Sequence, residues 1–378
     1  MRLAFHAWST VRATSVLAVL ALLAAACGGG GGAGDGGADG EEGQSISLTV
    51  GAGHEAGGAI TYANWLQDFF VPELESRVEE ETPHTISINE AYGGTIAGTD
   101  EVWEAIGTGL LDIGGFCYCF EPSDLFLHAL DFYVPFSSPD PQLAQEAFRE
   151  VFDNNPYMTE VIEENNQMLL ALYGTSSYEL ITQFPVETLE DLDGRAISAA
   201  GPNLPWIPED AVNVQRIQGA LPEWYTGLQT GVFNGAIMFP ESSVGFRLYE
   251  VAEHYTLVGF GASPQGGIHI NTDTWESLPE DVQQIVLEVG QEYEATIPDQ
   301  IVEEREQALQ VMEEAGTTIN ELDEEARLDW VNALPEYPLQ QIEEAESRGI
   351  EDARAIVQTY IEAQEARGYE FPRDWQLE

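Results

Sequence analysis

The sequence predicts an α/β protein with two lobes, each a mixed sheet flanked by helices, and a ligand cleft between the lobes. Its 378 residues exceed what one compact core usually serves, so two domains are expected. Strand and helix patterns alternate in both halves of the chain. A helix–glycine–strand pattern also occurs twice, as AIGTGLLDIGG at residues 105–115 and as WYTGLQTGVFNGAI at residues 224–237.

The first lobe is predicted to begin with a βαβαβ unit of parallel strands. Alternating apolar and polar residues predict strands at residues 45–50 and 85–89. Apolar residues at helical spacing follow the first strand, with Pro72 as a kink. A second helix, residues 101–108, is predicted to end at Gly109 and to lead into a buried strand at residues 113–120.

The second half repeats this order and ends in helices. A helix is predicted to end at Gly231, so both joints would close a helix with a glycine C-cap and return the chain to a sheet. A ligand is expected where the carboxyl ends of the strands of both sheets face each other. Strands are predicted at residues 168–173, 179–182, 212–217 and 233–238, a turn followed by a strand at residues 191–199, and outer acidic helices at residues 279–293, 300–314, 323–334 and 350–366.

Residues 1–26 have the layout of a secretory signal peptide. Arginines flank a short polar region, and an apolar stretch follows that is too short to span a bilayer comfortably. The residues LAAAC resemble a bacterial lipobox, so Cys27 is predicted as a lipid anchor. An ordinary signal peptide with a chance cysteine is the alternative. The glycine-rich, acidic residues 27–44 are predicted to form a flexible tether.

The composition is strongly acidic. The chain carries 66 acidic and 13 basic residues, all of the latter arginine, for a formal net charge of −53. Nucleic-acid binding is excluded, because nothing on such a surface would neutralise phosphates. Acidic runs lack the spacing of a calcium loop and are predicted as solvated surface. Since salt screens self-repulsion, the charge predicts a protein that works in salty or alkaline surroundings.

Cys117 and Cys119, in the stretch FCYCF, are predicted to be buried free thiols. On a regular strand their side chains would point the same way, and a disulfide between them would be strained. No further ligands lie nearby at a metal-site spacing, so neither a metal nor a cofactor is expected.

Residues 221–243, LPEWYTGLQTGVFNGAIMFPESS, are similar to the signature of TRAP-type (tripartite ATP-independent periplasmic) transporter solute-binding proteins. Their typical pattern is Glu-x-Tyr-x-x-Leu-Gln-x-Gly-x-x-Asp-Gly, and Asn234 replaces its aspartate here. FPVETLEDLDGRAI, LDFYVPF and INTDTWESLPEDVQ also resemble motifs of the family, and the resemblance extends in order over roughly residues 48–293. The matching positions of the signature are Glu223, Tyr225, Leu228, Gln229, Gly231 and Gly235.

This resemblance, to the dicarboxylate-binding-protein-like family, implies a type II-like periplasmic-binding-protein fold. Lobe I would comprise residues 45–170 and 257–297, and lobe II residues 171–256 and 298–378. It implies capture of a small organic solute, often an organic acid, and its delivery to membrane permease subunits, without catalysis. Together with the lipid anchor predicted from the lipobox-like stretch at Cys27, it predicts a monomer held at the outer face of the cytoplasmic membrane or in the periplasm.

The arginine clamp that many members use for a ligand carboxylate is missing at the corresponding positions. The usual arginine falls at Ser198, a second basic or polar position at Tyr178, and a common asparagine near Met238. Arg195 and Arg216 are predicted as surface or structural residues rather than ligand contacts.

Hydrogen bonding and stacking are expected to replace the clamp. Asn203 and Trp206 follow a strand end in the second lobe, and His54, Tyr92 and Tyr118 lie at strand ends in the first. Ordinary packing is the alternative for each of them. The complete predicted set of ligand-binding residues is His54, Tyr92, Tyr118, Tyr178, Ser198, Asn203, Trp206 and Met238.

Two other functions remain as alternatives. An exported hydrolase would need a nucleophile, a base and an orienting residue. The chain has no Gly-x-Ser-x-Gly elbow and no zinc-type histidine pair, and the local acid–base pair of His54 and Glu55 lies beside a glycine-rich loop. A ligand sensor for a membrane kinase would use the same cleft, so the sequence leaves that alternative open.

Overall fold

The structure, a computed structural model, describes residues 43–378. The predicted signal peptide, Cys27 and nearly all of the predicted tether lie outside the described residues. Within the described range the strands are β1 (Ser45–Ala52), β2 (Thr85–Ala91), β3 (Ile113–Cys117), β4 (Gln167–Ser177), β5 (Glu179–Thr182), β6 (Ala196–Ala199), β7 (Gln215–Gln218), β8 (Gly235–Met238), β9 (His254–Leu257), β10 (Ala262–Asn271) and β11 (Thr318–Glu321).

The helices lie mainly on the outer faces of the sheets. None of the helices in residues 43–378 has both the length and the apolar character needed to cross a membrane. They are α1 (Thr61–Trp65), α2 (Val71–Glu81), α3 (Val102–Gly107), α4 (Pro141–Asn154), α5 (Tyr157–Glu164), α6 (Trp224–Thr230), α7 (Pro240–Gly245), α8 (Thr272–Ser277), α9 (Glu280–Ala315), α10 (Glu324–Ala333), α11 (Tyr337–Ser347) and α12 (Ala353–Ala366).

The strands form two mixed sheets, which confirms the predicted fold class. The first sheet has the order β2-β1-β3-β10-β4. In it β1 is parallel to β2 and β3, as the βαβαβ pattern predicts, while β10 runs antiparallel to β3 and β4. The second sheet has the order β11-β9-β5-β8-β6-β7, with β6 parallel to β7 and β8.

Two segments cross between the sheets side by side. One joins β4 to β5 through Tyr178, and the other joins β9 to β10 through residues 258–261. The backbone N–H of Tyr178 donates to the carbonyl of Gly261 at 3.1 Å, and Phe260 N–H donates to the carbonyl of Tyr178 at 3.3 Å. Helix α9 packs on β4 of the first sheet and also contacts β11 of the second. The two sheets are therefore connected by paired strands and one long helix.

The repeated helix–glycine–strand joint is confirmed in both lobes. Gly109 and Gly231 have φ values of 72° and 71°, the left-handed region that glycine adopts without penalty. In each copy the backbone N–H of the glycine donates to the carbonyl of the residue three positions earlier. The backbone N–H of the residue after the glycine donates to the carbonyl of the residue five positions earlier. These are the two bonds of a Schellman motif, and they satisfy carbonyls that the ending helix leaves open.

The polar residue that follows each joint has an equivalent role in the two lobes. The Asp112 carboxylate accepts the backbone N–H of Thr49 at 2.7 Å and the hydroxyl of Thr274 at 2.6 Å. Asn234 Oδ1 accepts the backbone N–H of Ala196 at 3.3 Å. Both side chains therefore tie the start of a strand to its parallel neighbour. This role needs one side-chain acceptor, which explains how Asn234 can stand where the typical signature has aspartate.

The prediction of free thiols at Cys117 and Cys119 is wrong, because the structure joins them in a disulfide. The predicted strand over residues 113–120 ends at Cys117, and Tyr118–Phe120 forms a 3-10 turn. The turn brings the two Cα atoms to 5.2 Å, within the range that a disulfide spans. The expectation failed because it assumed a regular strand through both cysteines.

The predicted pair of helices at residues 279–293 and 300–314 is also wrong. A single helix, α9, runs for 36 residues with Pro298 inside it. A proline removes one helical hydrogen bond, but Ile297 and Ile301 on either side are fully buried. Burial of this face against the rest of the protein holds the helix together across the proline.

Candidate functional site

A cavity of about 710 Å³ opens at the carboxyl ends of strands from both sheets. Its first-lobe wall includes Gly53, His54 and Gly93, which follow β1 and β2. Its second-lobe wall includes Ala200 and Gly219, which follow β6 and β7. The cavity lies where the sequence predicts a cleft, because the loops at these strand ends face one another.

A narrower recess of about 30 Å³ continues from this cavity. The two share several walls, including His54, Phe120 and Leu221. The recess is lined mostly by apolar and sulfur-containing side chains, among them Cys117, Cys119, Ile237, Met238 and Phe239. The cavity and the recess are together called the cleft below. Its deep end offers an apolar contact surface, with the disulfide as part of the lining.

His54 supplies a neutral ring to the cleft. Its Nδ1 lies 3.0 Å from the Tyr62 hydroxyl, and its ring centroid lies 5.9 Å from that of Phe120. Burial lowers the pKa of His54 to about 4, so the imidazole is uncharged at neutral pH. If the Tyr62 O–H donates to Nδ1, the imidazole proton lies on Nε2, which is then a hydrogen-bond donor.

A second polar group comes from the crossing segments. The Tyr178 hydroxyl donates to Gln265 Oε1 at 3.1 Å, and both residues line the recess. Tyr178 stands between β4 and β5, while Gln265 lies on β10. With Oε1 engaged, the amide nitrogen of Gln265 is the part of this side chain left to donate to a ligand.

No positively charged side chain lines the cleft within residues 43–378. Glu55 is the one acidic residue of the lining in that range. Arg195 lies over the ring of Phe184, 4.1 Å from its centroid. Arg216 donates to the carboxylate of Glu209 and to a backbone carbonyl. Neither arginine takes the position of a ligand clamp.

Three of the eight predicted ligand-binding residues line the cleft, namely His54, Tyr178 and Met238. Tyr92 does not, although Gly93 beside it does. Tyr118 lies between the two lining cysteines but is fully buried, and its hydroxyl pairs with His269 Nε2 at 2.9 Å.

The other three predicted residues are buried outside the lining. Ser198 is fully buried, and its Oγ has no hydrogen-bond partner among the described residues. Asn203 is also buried with an unpartnered amide in the same range. The Trp206 indole N–H donates to the carbonyl of Phe132 at 2.8 Å, and its ring meets that of Tyr178 edge-on at 5.6 Å. Trp206 therefore supports a lining residue from behind, and a ligand contact by any of the three stays a prediction.

Sequence reasoning missed several lining residues. The stretch FCYCF drew attention to Cys117 and Cys119, but their disulfide was not expected. Gln265 lies on β10, an antiparallel strand whose segment ASPQGGIHIN shows no alternation of apolar and polar residues. Leu221 is the first residue of the signature-like stretch after β7, but it is not one of the matching positions of the signature, so nothing marked it as a lining residue.

Comparison with known proteins identifies the family. Residues 64–344 match the family described as bacterial extracellular solute-binding protein, family 7 (DctP), and this match covers more than half of the chain. The chain belongs to this family. It is an extracellular solute-binding protein by membership, and the family is one of binding proteins rather than enzymes.

Individual relatives match parts of the solute-binding protein. It is 30% identical over 171 residues to a solute-binding protein of Sulfitobacter sp. (strain NAS-14.1), which covers 44% of this chain and 51% of the relative. It is 34% identical over 116 residues to the C4-dicarboxylate-binding periplasmic protein DctP of Rhodobacter capsulatus, covering 30% and 34% of the two chains. These matches span about half or less of each relative.

The fold is similar over nearly the whole length of a solved structure. A TRAP periplasmic solute-binding protein from Chromohalobacter salexigens, with bound D-glucuronate, superposes with a TM-score of 0.70 at 20% identity. The similarity covers 84% of this chain and 99% of that one. At this identity the comparison shows the two-lobed fold.

Proposed function

We propose that the solute-binding protein is the extracytoplasmic receptor of a TRAP-type secondary transporter. It captures a small organic solute in its cleft and delivers the solute to membrane permease subunits. The cleft carries this proposal, because it joins the carboxyl ends of two sheets that are linked by paired crossing strands. Clefts of about this volume in two-lobed proteins bind small molecules.

The connection between the sheets supports a hinge. The crossing segments at Tyr178 and residues 258–261 bond to each other through the backbone, so they would bend together. Closure around a solute would bring the Ala200 and Gly219 wall towards the His54 wall. The sequence-based bounds put lobe I at residues 45–170 and 257–297 and lobe II at residues 171–256 and 298–378; because β4 stays in the first sheet as far as Ser177, the first boundary is proposed instead at Tyr178.

The proposal includes a place in the cell. Export by the predicted signal peptide and anchoring through Cys27 would hold the protein at the outer face of the cytoplasmic membrane or in the periplasm. It would act there as a monomer and without catalysis. Organic acids are the first solutes to test, since the resemblance implies them and since relatives are described with a C4-dicarboxylate or with D-glucuronate.

Binding and delivery are tested in two steps. A thermal-shift screen of organic acids, aromatic compounds, sugars and osmolytes in molar salt identifies binders, because a solute bound by the native state raises its melting temperature. Uptake of a radiolabelled binder is then measured in proteoliposomes that contain the permease subunits proposed as its partners. Uptake that requires the solute-binding protein supports the proposal.

A defined result would refute this function. Binding of a solute without any dependence of uptake on the protein would contradict the transporter role. A change in the autophosphorylation of a neighbouring membrane kinase on addition of the loaded protein would instead favour the sensor alternative.

A further inference from the structure

We infer that the cleft takes an uncharged organic solute, apolar or aromatic over most of its surface, with one or two carbonyl-type acceptors such as an amide or a lactam. This inference rests on the proposed function and names the ligand class of the same cleft. It departs from the carboxylate ligands that the family resemblance implies. Four features of the cleft lead to it.

The first feature is the lack of a cation at the cleft. The chain has no lysine, and none of the arginines in residues 43–378 lines the cleft. Most of these arginines are held by carboxylates elsewhere, and Arg195 and Arg327 lie over the rings of Phe184 and Phe136. The arginines paired with carboxylates are Arg77, Arg149, Arg216, Arg247, Arg348, Arg354, Arg367 and Arg373.

The second feature is the position where an arginine clamp would be expected. Ser198 is fully buried, and a Cβ added at Gly219 would lie 3.2 Å from its Oγ and 3.1 Å from the Trp224 indole nitrogen. The residue at this position, a serine, supplies no positive charge to the cleft. Of the residues that line the cleft in this part of the second lobe, Ala200, Gly219 and Ala220 have no polar side chain, and the uncharged amide of Gln218 donates to the carbonyl of Ala200.

The third feature is the charge that the cleft does carry. Glu55 lines its wall, and His54 is neutral at neutral pH because burial lowers its pKa to about 4. A carboxylate that left water for this cleft would lose hydration without gaining a cation, and it would also meet a like charge. An uncharged solute avoids both penalties.

The fourth feature is the match between the remaining groups and a neutral ligand. Phe120, Met238, Phe239 and the disulfide give an apolar surface at the deep end of the cleft. The neutral side-chain donors of the lining include Nε2–H of His54, when Tyr62 donates to Nδ1, the hydroxyl of Thr99 and the amides of Gln218 and Gln265, and Oε1 of Gln265 already accepts from Tyr178. Neutral donors of this kind suit the carbonyl of an amide or a lactam.

Isosteric pairs of compounds test the inference directly. Titration calorimetry in molar salt at neutral pH compares phenylacetamide with phenylacetate, D-glucuronamide with D-glucuronate, and succinamide with succinate. Each pair differs in charge and hardly in size. We expect the amide of at least one pair to bind, and to bind about tenfold or more tightly than its carboxylate, because only the carboxylate buries an unpaired charge.

A charge added at the cleft provides the matched variant. Ala220 is exposed at the cleft wall, so a longer side chain fits there without disturbing the core. Relative to Ala220→Gln, which adds length without charge, Ala220→Arg should shift the preference in each pair towards the carboxylate. Equal preferences in the two variants would show that charge does not select the ligand.

The outcomes separate this inference from the proposed function. Tighter binding of the carboxylate in each pair that binds overturns the inference, while the transporter role stands. Binding of none of the amides also overturns the inference, and permease-dependent uptake then decides the transporter role by itself.

Discussion

Glu241 ties a helix of the second lobe to a strand of the first sheet, and its charge should contribute to the pH dependence of stability. It lies at the start of α7, and its carboxylate accepts the backbone N–H of Ser176 at 3.2 Å and the hydroxyl of Ser176 at 2.7 Å. Ser176 lies near the end of β4, just before the chain crosses between the sheets. Replacing Glu241 by glutamine keeps an acceptor at this place and removes the titrating group.

The expected magnitude follows from the burial of the carboxylate. Burial raises the pKa of Glu241 from 4.5 to about 7, with a smaller contribution from the negative charge of Glu304. Because the pKa of Glu241 is higher in the folded state than in the unfolded state, protonation of its carboxyl stabilises the fold. This stabilisation is complete below the unfolded-state pKa and is lost as the pH rises through the folded-state pKa of about 7. A shift of this size corresponds to about 3 kcal/mol of unfolding free energy.

The assay is urea unfolding of the wild type and of Glu241→Gln at constant molar salt between pH 4.5 and 8.5. The free energy of unfolding of the variant relative to the wild type should rise by up to about 3 kcal/mol over this range and then level off. Glu292→Gln is the control. Arg77 lowers the pKa of Glu292 in the folded state. The stabilisation that the ionised Glu292 contributes is therefore lost only as the pH falls below the unfolded-state pKa of this glutamate.

The control should therefore show a constant difference from wild type between pH 5.5 and 8.5, values chosen to lie above the roughly 4.3 that is usual for a glutamate pKa. A constant difference for Glu241→Gln over the same range would refute the reasoning. It would mean that the carboxylate is ionised in the folded protein without a penalty.

Three further predictions concern the joints, the cleft and the charge. Gly109→Ala and Gly231→Ala should each destabilise the protein by about 1 kcal/mol in urea unfolding, because an added Cβ meets no close neighbour at either site and only the backbone conformation is penalised. A much larger loss in one lobe would contradict the equivalence of the joints. The double replacement Cys117→Ser, Cys119→Ser should weaken binding of the tightest compound from the screen, measured by calorimetry, because both residues line the recess. Unchanged affinity would remove the disulfide from the binding surface. The melting temperature should rise from low to molar salt, because salt screens repulsion in a chain with a net charge of −53, and a flat or falling curve would contradict this.

Local patterns predicted the elements that depend on neighbouring residues. The alternation in β1 and β2 and the glycines at 109 and 231 each encode a structure that forms within a few residues. The parallel order of β1, β2 and β3 followed from the alternation of strands and helices. Position 234 also kept its structural role, because asparagine retains the acceptor that the strand needs.

The parts that were missed depend on contacts between distant segments. Strand β10 pairs antiparallel with β3 and β4, and all its residues are buried, so it shows no alternation. The pairing of Cys117 with Cys119 depends on where β3 ends. Counting along a motif predicted that Ser198 lies in the cleft. In the structure β6 continues to Ala199, and the first residue after the strand, Ala200, lines the cleft instead. Packing across the sheets sets each of these features.

Small-angle X-ray scattering with and without a saturating binder tests most directly whether the cleft between two hinged lobes captures the solute. The compound is the tightest binder from the screen, and the measurement is made in molar salt to suppress charge repulsion between molecules. Closure about the crossing segments at Tyr178 predicts a smaller radius of gyration in the loaded protein. An unchanged radius at full saturation would contradict capture by lobe closure.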